Sequence, residues 1–250
     1  PVGLAAERFG EDRLRMLRAA RFVSQLGFEL DPDAFAAIRA QAAALVQVSV
    51  ERVLAEMRKL LVGKAWIPGL KTLVDSGLAP VVWPEIVALD FKLLEKFPRP
   101  RDWTNAVAMV HWLLNVDPEA RLRAWKASRD DIRRARESIA ALKILENPKS
   151  RRAERVRALG TEFYADVLNL ASGDCDPSRI QKWIDEFLAV ADAGGGLPKS
   201  FVSGEDLLRA GVAPGEFMGR ILKEIYEGQL EGRLSSRAAA LEEMRKKIKA

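Results

Sequence analysis

Apolar residues recur at intervals of three and four along almost the whole chain, the spacing that places side chains on one face of an α-helix. Near the start, Leu14 and Leu17 are three residues apart, and Phe22 and Leu26 are four residues apart. Runs that alternate β-branched and polar residues, the pattern of a half-buried strand, are missing from the sequence. The pattern therefore predicts an all-α fold.

Capping residues indicate where individual helices begin and end. Gly27 is a natural C-terminal stop for the first helix, and Asp31-Pro32 opens a second one with a cap and a first-turn proline. Ser49 caps a third helix, which carries one apolar stripe made of Val50, Val53, Leu54, Met57, Leu60 and Leu61. Further helices are expected near residues 68–76, 85–95, 102–115, 117–127, 129–146, 150–171, 177–193, 204–210, 214–230 and 234–249.

Composition restricts the classes of function. The 250 residues include 40 basic and 35 acidic side chains, and the net charge of +5 suits a nucleic-acid partner. A single cysteine excludes an internal disulfide, no apolar run could span a bilayer and no secretory signal opens the chain, so we expect a soluble cytoplasmic protein. The only histidine, His111, lies in an apolar helical run, which favours a core or interface position over catalysis or metal binding.

Residues 11–18 combine carboxylates and guanidinium groups one helical turn apart. Asp12 offers only hydrogen-bond acceptors and Arg15 only donors, and on a helix the two would lie side by side. Such a pair complements the Watson–Crick edge of a base that presents one amino donor beside one ring-nitrogen acceptor. Cytosine and adenine present this edge, and guanine and uracil present the reverse pattern. From the residues alone, a solvated helix face explains the same stretch, since Glu11 and Arg15 form an ordinary i,i+4 ion pair.

This stretch resembles the nucleotide-selecting Glu-Asp-x-x-Arg motif of the class II tRNA nucleotidyltransferases, which include the CCA-adding enzymes and bacterial poly(A) polymerases. The similarity extends from Arg8 almost to the C-terminus and is weakest between about residues 95 and 170. The other segments that carry it are residues 25–29, 48–52, 59–61, 204–208, 211–215 and 229–232.

The resemblance implies an elongated, curved array of short helices in three parts. These are a neck over residues 1–88, a body over 89–172 and a tail over 173–250, with sequence seams at residues 97–100 and 194–198. Family members also carry a catalytic head before the neck, with a Gly-Ser turn and an Asp-x-Asp pair that holds metal ions. Nothing in this sequence resembles that head. The Asp-x-Asp at Asp174-Cys175-Asp176 is flanked by glycine and proline and reads as a loop between helices.

The resemblance also assigns roles to individual residues. Asp12 and Arg15 would read the base, Glu11 would orient Arg15 or cap the turn, and Arg18 would contact the nucleotide or brace its neighbours. Glu51 and Arg52 would brace the neck helices beneath this site, and Glu56 with Lys59 is expected to form a surface pair. A bidentate base contact discriminates by roughly 1–3 kcal/mol, and unpaired groups on a wrong base add about as much, which gives ~100-fold selectivity.

Two arginine-rich stretches are candidates for RNA binding. Members of each stretch share a helix face and could contact the phosphates of a tRNA acceptor stem, and the tail would grip the outer corner of the tRNA. The alternative is a pair of solvated faces that carry their own acids. The candidates are Arg129, Arg133 and Arg136, then Arg151, Arg152 and Arg155, with Lys199 in the tail.

The expected function is template-independent addition of C and A to the 3′ end of tRNA by nucleotidyl transfer from CTP and ATP. This chain would supply base selection and tRNA binding, and the head would supply catalysis with Mg²⁺, so the chain alone is expected to be inactive. Alternatives are a bacterial poly(A) polymerase, a CC-adding or A-adding relative, and a headless RNA-binding module. A His-Asp phosphohydrolase site is not expected, because Trp112 occupies the position of the aspartate.

Overall fold

A computed structural model describes residues 5–249, and every regular element in that range is helical. The prediction of an all-α fold is confirmed. None of these helices combines the length and the apolar character that a bilayer crossing requires. The described chain divides into two compact units, the first extending to Ala140 and including Ala165–Cys175, and the second formed by Ala141–Tyr164 and the residues from Asp176 onward.

Unit 1 consists of short helices and two 3₁₀ helices, Ala42–Gln47 and Pro84–Ala88. Its α-helices are α1 (Ala5–Glu11), α2 (Leu14–Leu26), α3 (Pro32–Gln41), α4 (Val50–Leu61), α5 (Trp66–Asp75), α6 (Ala79–Val82), α7 (Phe91–Leu94), α8 (Trp103–Leu114), α9 (Glu119–Ala124), the first part of α10 (Arg129–Glu146) and α12 (Tyr164–Asp174).

Helix α2 lies at the centre of the part of unit 1 that carries the charged stretch. It buries an apolar face that includes Leu14, Leu17 and Val23 and packs against α4 and α5. Its end is fixed by Gly27, which adopts φ 71° and donates its N–H to the carbonyl oxygen of Val23 at 2.8 Å. A left-handed C-terminal glycine is the stop that the sequence predicted.

Unit 2 contains α11 (Arg152–Leu159), α13 (Pro177–Leu188), α14 (Gly204–Arg209), α15 (Glu216–Leu230) and α16 (Arg237–Lys249). Its main core joins the last three of these helices through Val202, Leu207, Val212, Ile221, Ile225, Ala240 and Met244. Helix α14 begins with a reciprocal capping box between Ser203 and Asp206, which satisfies two backbone donors at the helix start.

Two of the predicted helices are wrong. The helix expected near 85–95 is a 3₁₀ helix followed by the short α7, because Leu89 is extended and Asp90 starts α7 by accepting the N–H of Lys92. The helix expected near 150–171 is broken after Leu159. There the absence of a side chain on Gly160 lets Leu197 pack closely, since a Cβ would lie 2.3 Å from the Leu197 Cγ.

The expectation that His111 lies in a core is confirmed. The side chain is almost fully buried and stacks on Trp83 with ring centroids 5.7 Å apart, and its Nδ1 lies 3.3 Å from the carbonyl oxygen of Val116. Burial lowers the pKa of His111, so the imidazole is neutral.

Candidate nucleotide-selecting site

The predicted base-reading residues lie at the turn between α1 and α2. Helix α1 ends at Glu11 and α2 begins at Leu14, so the expectation of a continuous helix through Asp12 is corrected. Asp12 instead precedes α2 and accepts the N–H of Leu14 on its Oδ1 at 3.1 Å, while Arg15 donates its backbone N–H to the Asp12 carbonyl at 3.0 Å. The helix is interrupted between Glu11 and Leu14 because the short side chain of Asp12 accepts a hydrogen bond from a backbone N–H and so starts a new helix.

Each of the two side chains predicted to read the base has its own partner in unit 1. Asp12 receives Nη2 of Arg52, from α4, at 3.2 Å on both carboxylate oxygens. Arg15 donates Nη1 to Glu11 at 2.8 Å and to the carbonyl of Arg8 at 3.1 Å. Both of these bonds use Nη1, so the guanidinium keeps further N–H donors for a ligand. The two side chains are thus held separately, and each retains hydrogen-bonding capacity.

Glu11 joins two arginines. Its carboxylate accepts from Arg15 at 2.8 Å and from Arg8 at 2.6 Å. The hydrogen bond from Arg15, and next the one from Arg8, lower the pKa of Glu11, so this acid stays ionised at neutral pH. The contact with Arg15 is the one that an orienting role for Glu11 requires.

Glu56 is a buried carboxylate beneath the charged surface. It is 4% exposed, and its oxygens lie 3.3 Å from Nε of Arg18 and 2.8 Å from Nε of Arg21. The contact with Arg21 is an ion pair and not a hydrogen bond. The predicted surface pair of Glu56 with Lys59 is therefore wrong, because the carboxylate points into the interior toward α2.

Sequence reasoning missed Glu56 and Arg21 as parts of the site. One signal could have found Glu56, since it falls within the buried stripe of α4, three residues after Val53 and four before Leu60. A carboxylate in such a stripe is almost never buried without a positive partner. The positive partners of Glu56, Arg18 and Arg21, come from α2.

The ion-paired cluster around α2 carries an excess of positive charge. Its acids are Glu11, Asp12 and Glu56, and its arginines are Arg8, Arg15, Arg18, Arg21 and Arg52. Five cations against three anions leave two positive charges on this surface. Such an excess attracts anions such as triphosphates and RNA backbone.

The two predicted bracing residues both lie in the first turn of α4. Arg52 links α4 to the α1–α2 turn through Asp12. Glu51 is exposed and pairs with Lys126 at 2.6 Å. The hydrogen bond from Lys126 lowers the pKa of Glu51.

The RNA-binding candidates of unit 1 are exposed on α10. Arg133 pairs with Asp130 at 2.7 Å, and Arg136 pairs with Glu119 at 2.5 Å and with Asp117 at 3.2 Å. Arg129 is exposed as well. Their neighbour Arg134 turns inward and donates a hydrogen bond to the buried Asp166. This hydrogen bond raises the pKa of Arg134 above its ordinary value.

The candidates of unit 2 are largely engaged within the chain. Arg155 is 19% exposed and donates Nε and Nη2 to the two oxygens of Glu186, both at 2.8 Å. Arg152 donates to the carbonyls of Glu231 and Glu186, and Arg151 pairs with Glu227 at 3.0 Å. Lys199 is exposed.

Residues 5–249 do not fit the Mg²⁺ that the resemblance implies. No group of three or more His, Cys, Asp or Glu side chains in that range could hold a metal ion. The aspartates of the Asp-x-Asp at residues 174–176 serve structural contacts, since Asp174 accepts from Trp112 at 3.2 Å and Asp176 caps α13 at the N–H of Ser178. In the Asp-x-Asp at residues 31–33, Asp31 caps α3 by accepting the N–H groups of Asp33 and Ala34. We therefore derive no metal-dependent step within this chain.

Comparisons with known proteins agree with the motifs. A family model described as a probable RNA and SrmB-binding site of polymerase A matches residues 27–89, and one described as putative tRNA nucleotidyltransferase domain 2 matches residues 99–244. The CCA-adding enzyme of Lacticaseibacillus paracasei is 32% identical over 242 residues, which are 93% of this chain and 58% of that enzyme. That of Limosilactobacillus fermentum is 33% identical over 242 residues, 92% of this chain and 59% of that enzyme.

Solved structures show the same fold. The crystal structure of the Bacillus stearothermophilus CCA-adding enzyme in complex with CTP is 29% identical, with a TM-score of 0.80 over 99% of this chain and 66% of that one. The Thermotoga maritima CCA-adding enzyme complexed with tRNA is 17% identical, with a TM-score of 0.66 over 96% of this chain and 62% of that one, a likeness of fold alone. The chain thus spans about 58% of the length of the first of these curated relatives. The second family model matches residues 99–244, which is more than half of the chain. The chain therefore belongs to the tRNA nucleotidyltransferase and poly(A) polymerase family.

Proposed function

We propose that this chain is the base-selecting and RNA-binding part of a cytoplasmic enzyme that adds C and A to the 3′ end of tRNA without a nucleic-acid template. The observation that carries the proposal is the acid and arginine surface at the α1–α2 turn, where Asp12 and Arg15 are anchored separately and keep hydrogen-bonding capacity. Its relatives are CCA-adding enzymes, and the B. stearothermophilus relative binds CTP. The single cysteine fits a reducing compartment.

In this proposal the protein acts as the template. Asp12 accepts a hydrogen bond from the exocyclic amino group of cytosine or adenine, and Arg15 donates to the adjacent ring nitrogen. Guanine and uracil present a donor to Arg15 and an acceptor to Asp12, so both contacts become repulsive. A lost bidentate contact is worth roughly 1–3 kcal/mol and the unpaired groups cost about as much again, so selectivity of ~100-fold follows.

The acids around this pair hold the arginines in place. Glu11 fixes Arg15 from one side, and buried Glu56 fixes Arg18 at Nε. Arg52 pairs with the carboxylate of Asp12, the same group that would accept a hydrogen bond from the base. Arg52 therefore orients this carboxylate, which would bond to Arg52 and to the incoming base at the same time. A guanidinium held by a carboxylate loses less freedom on binding a ligand, which favours recognition.

We assign nucleotidyl transfer itself to residues outside this chain. The reaction is in-line attack of the tRNA 3′-hydroxyl on the α-phosphate of CTP or ATP, with pyrophosphate leaving. It needs carboxylates that hold Mg²⁺, and the described residues offer no such group. We accordingly expect no catalysis by the 250 residues alone.

The three-part division stays a proposal, with the neck over 1–88, the body over 89–172 and the tail over 173–250. The proposed RNA contacts are the exposed side chains Arg129, Arg133, Arg136 and Lys199. Arg151, Arg152 and Arg155 are weaker candidates, since acids or carbonyls of unit 2 already hold them.

Poly(A) synthesis is the second candidate function. The family model matched by residues 27–89 is described by reference to polymerase A, and an Asp-Arg pair that accepts adenine would serve that reaction as well. Use of CTP separates the two activities.

The test is nucleotide addition to a tRNA that lacks its terminal CCA. CTP, ATP, GTP and UTP are supplied singly and together, first to the 250-residue chain and then to the complete product of its gene. The proposal expects C and A to be added by the complete product and nothing by the chain alone. Addition of A only would support poly(A) synthesis, and equal use of all four nucleotides would contradict base selection. Robust addition by the chain alone would overturn the assignment of catalysis.

A further inference from the structure

An exposed aromatic ring continues the charged face of α2. Phe22 follows Arg15 and Arg18 at helical spacing, so the three side chains lie along one face. Phe22 is 48% exposed, although the other face of α2 is fully packed. A large exposed aromatic beside a cationic surface is the combination that nucleic-acid grooves use to hold unpaired bases.

The ring of Phe22 is supported by Arg21. The guanidinium carbon of Arg21 lies 4.1 Å from the ring centroid, and Arg21 is itself held by Glu56 and is only 13% exposed. Buried Glu56 therefore fixes Arg21, and Arg21 backs the ring through a cation–π contact. The exposed remainder of the ring is held in place and can stack on a planar group.

The distance from the base-reading pair suits a neighbouring nucleotide. Phe22 follows Arg15 by seven residues, which is roughly 10 Å along the helix axis, and Arg18 lies between them. Stacked bases in one strand are about 3.4 Å apart, so roughly 10 Å corresponds to about three stacked steps. A base adjacent to the one at Asp12 and Arg15 therefore reaches Phe22 with the strand unstacked and extended between the two positions. The two excess positive charges of the surface would meet the intervening phosphates.

We propose that Phe22 is the stacking platform for a base at the single-stranded 3′ end of the RNA, next to the position of the incoming nucleotide. This rests on the proposed function and deepens it, since it separates two tasks on one helix. Asp12 and Arg15 distinguish the incoming base by hydrogen bonds. Phe22 holds the preceding base whatever its identity, because every base has a face that stacks. A tolerant platform suits a 3′ end whose terminal base changes with each addition.

The test uses a short single-stranded RNA that carries 2-aminopurine at its 3′ end, a base whose fluorescence falls when it stacks. Binding and quenching are measured with the unmodified chain and with the variants Phe22→Ala and Phe22→Tyr. The matched control is Phe28→Ala, which removes a ring that is 67% exposed and lies beyond the end of α2. Thermal unfolding of each variant shows that it is folded.

We expect Phe22→Ala to weaken binding by roughly 5- to 100-fold, the usual loss for one stacked base, and to abolish the quenching. Phe22→Tyr should keep both, and Phe28→Ala should match the unmodified chain. Unchanged affinity and quenching in Phe22→Ala would overturn the inference. It would equally be overturned if Phe22→Ala lost only self-association or association with another part of the protein, because the ring would then be a protein contact.

Failure of this inference is distinguishable from failure of the proposed function. If exchanging Asp12 and Arg15 alters the choice of nucleotide while Phe22→Ala leaves RNA quenching intact, only the stacking role is wrong. If Phe22→Ala weakens RNA binding while the exchange has no effect on the choice, the stacking role stands and base selection fails.

Discussion

Two arginine-rich regions of this chain look alike in sequence and differ in structure. On α2, Arg18 and Arg21 share a single acid, Glu56, and Arg18 remains 48% exposed. On α11, Arg155 donates two hydrogen bonds to the carboxylate of Glu186, one to each oxygen. Two arginines of α2 are therefore balanced by one acid, whereas the charge of Arg155 is neutralised by a carboxylate within the fold.

Two arginines at α11 also share one acid, since Arg151 and Arg157 both pair with Glu227, so the contrast holds for Arg155 and not for every arginine of that region. The pairing of each arginine, and not its presence in the sequence, decides how much of its charge is neutralised within the fold.

Removing Glu56 should have the largest effect on stability. Glu56→Gln leaves the buried Arg21 and the half-exposed Arg18 without their shared anion, and breaking a buried pair such as Arg21–Glu56 costs about 3–5 kcal/mol. Chemical denaturation measures the free energy of unfolding. Glu51→Gln is the control, since it removes an exposed acid from the same helix and should cost less than about 1 kcal/mol. Equal costs for the two variants would mean that Glu56 does not support the α2 surface.

Arg155→Ala should destabilise the protein without weakening RNA binding. The change leaves the carboxylate of Glu186 without its bidentate partner, and lost hydrogen bonds to a charged group cost about 1.5–3 kcal/mol. RNA affinity and its salt dependence are measured by fluorescence anisotropy on the same variant. A variant that unfolds like the original chain but binds RNA more weakly would place Arg155 on the binding surface and erase the contrast with α2.

Arg133→Gln and Arg136→Gln sharpen the comparison at an exposed site. Both arginines are exposed, and their acidic partners are exposed (Asp130) or half-buried (Glu119), so the loss of stability should be within about 1 kcal/mol for each. If both contact phosphates, each change lowers the slope of log affinity against log salt by about one unit, and the double variant by about two. An unchanged slope in the double variant would show that α10 presents a solvated face.

The helical fold could be predicted because its determinants are local. The apolar spacing of α2 and the stop at Gly27 are contained in a few consecutive residues. The break of the helix expected at 150–171 was not predictable in the same way, because Gly160 accommodates Leu197 from a distant part of the chain.

The candidate site was predictable at the α1–α2 turn, but Glu56, Arg21 and the pairings between helices were not. The sequence placed Glu11, Asp12 and Arg15 together, since they lie within one turn. It could not show that Arg18 meets Glu56, which lies 38 residues away, or that Arg155 meets Glu186, which lies 31 residues away. Ion pairs between helices depend on packing, which a single sequence does not reveal.

The most direct test of the account is the exchange Asp12→Arg with Arg15→Asp in the complete enzyme, followed by measurement of the relative incorporation of the four triphosphates. The exchange places the donor where the acceptor was, so we expect the preference for C and A to fall by ~100-fold or more, with a shift toward G and U. An unchanged preference for C and A, in a variant that still folds and adds nucleotides, would contradict selection of the base by this pair.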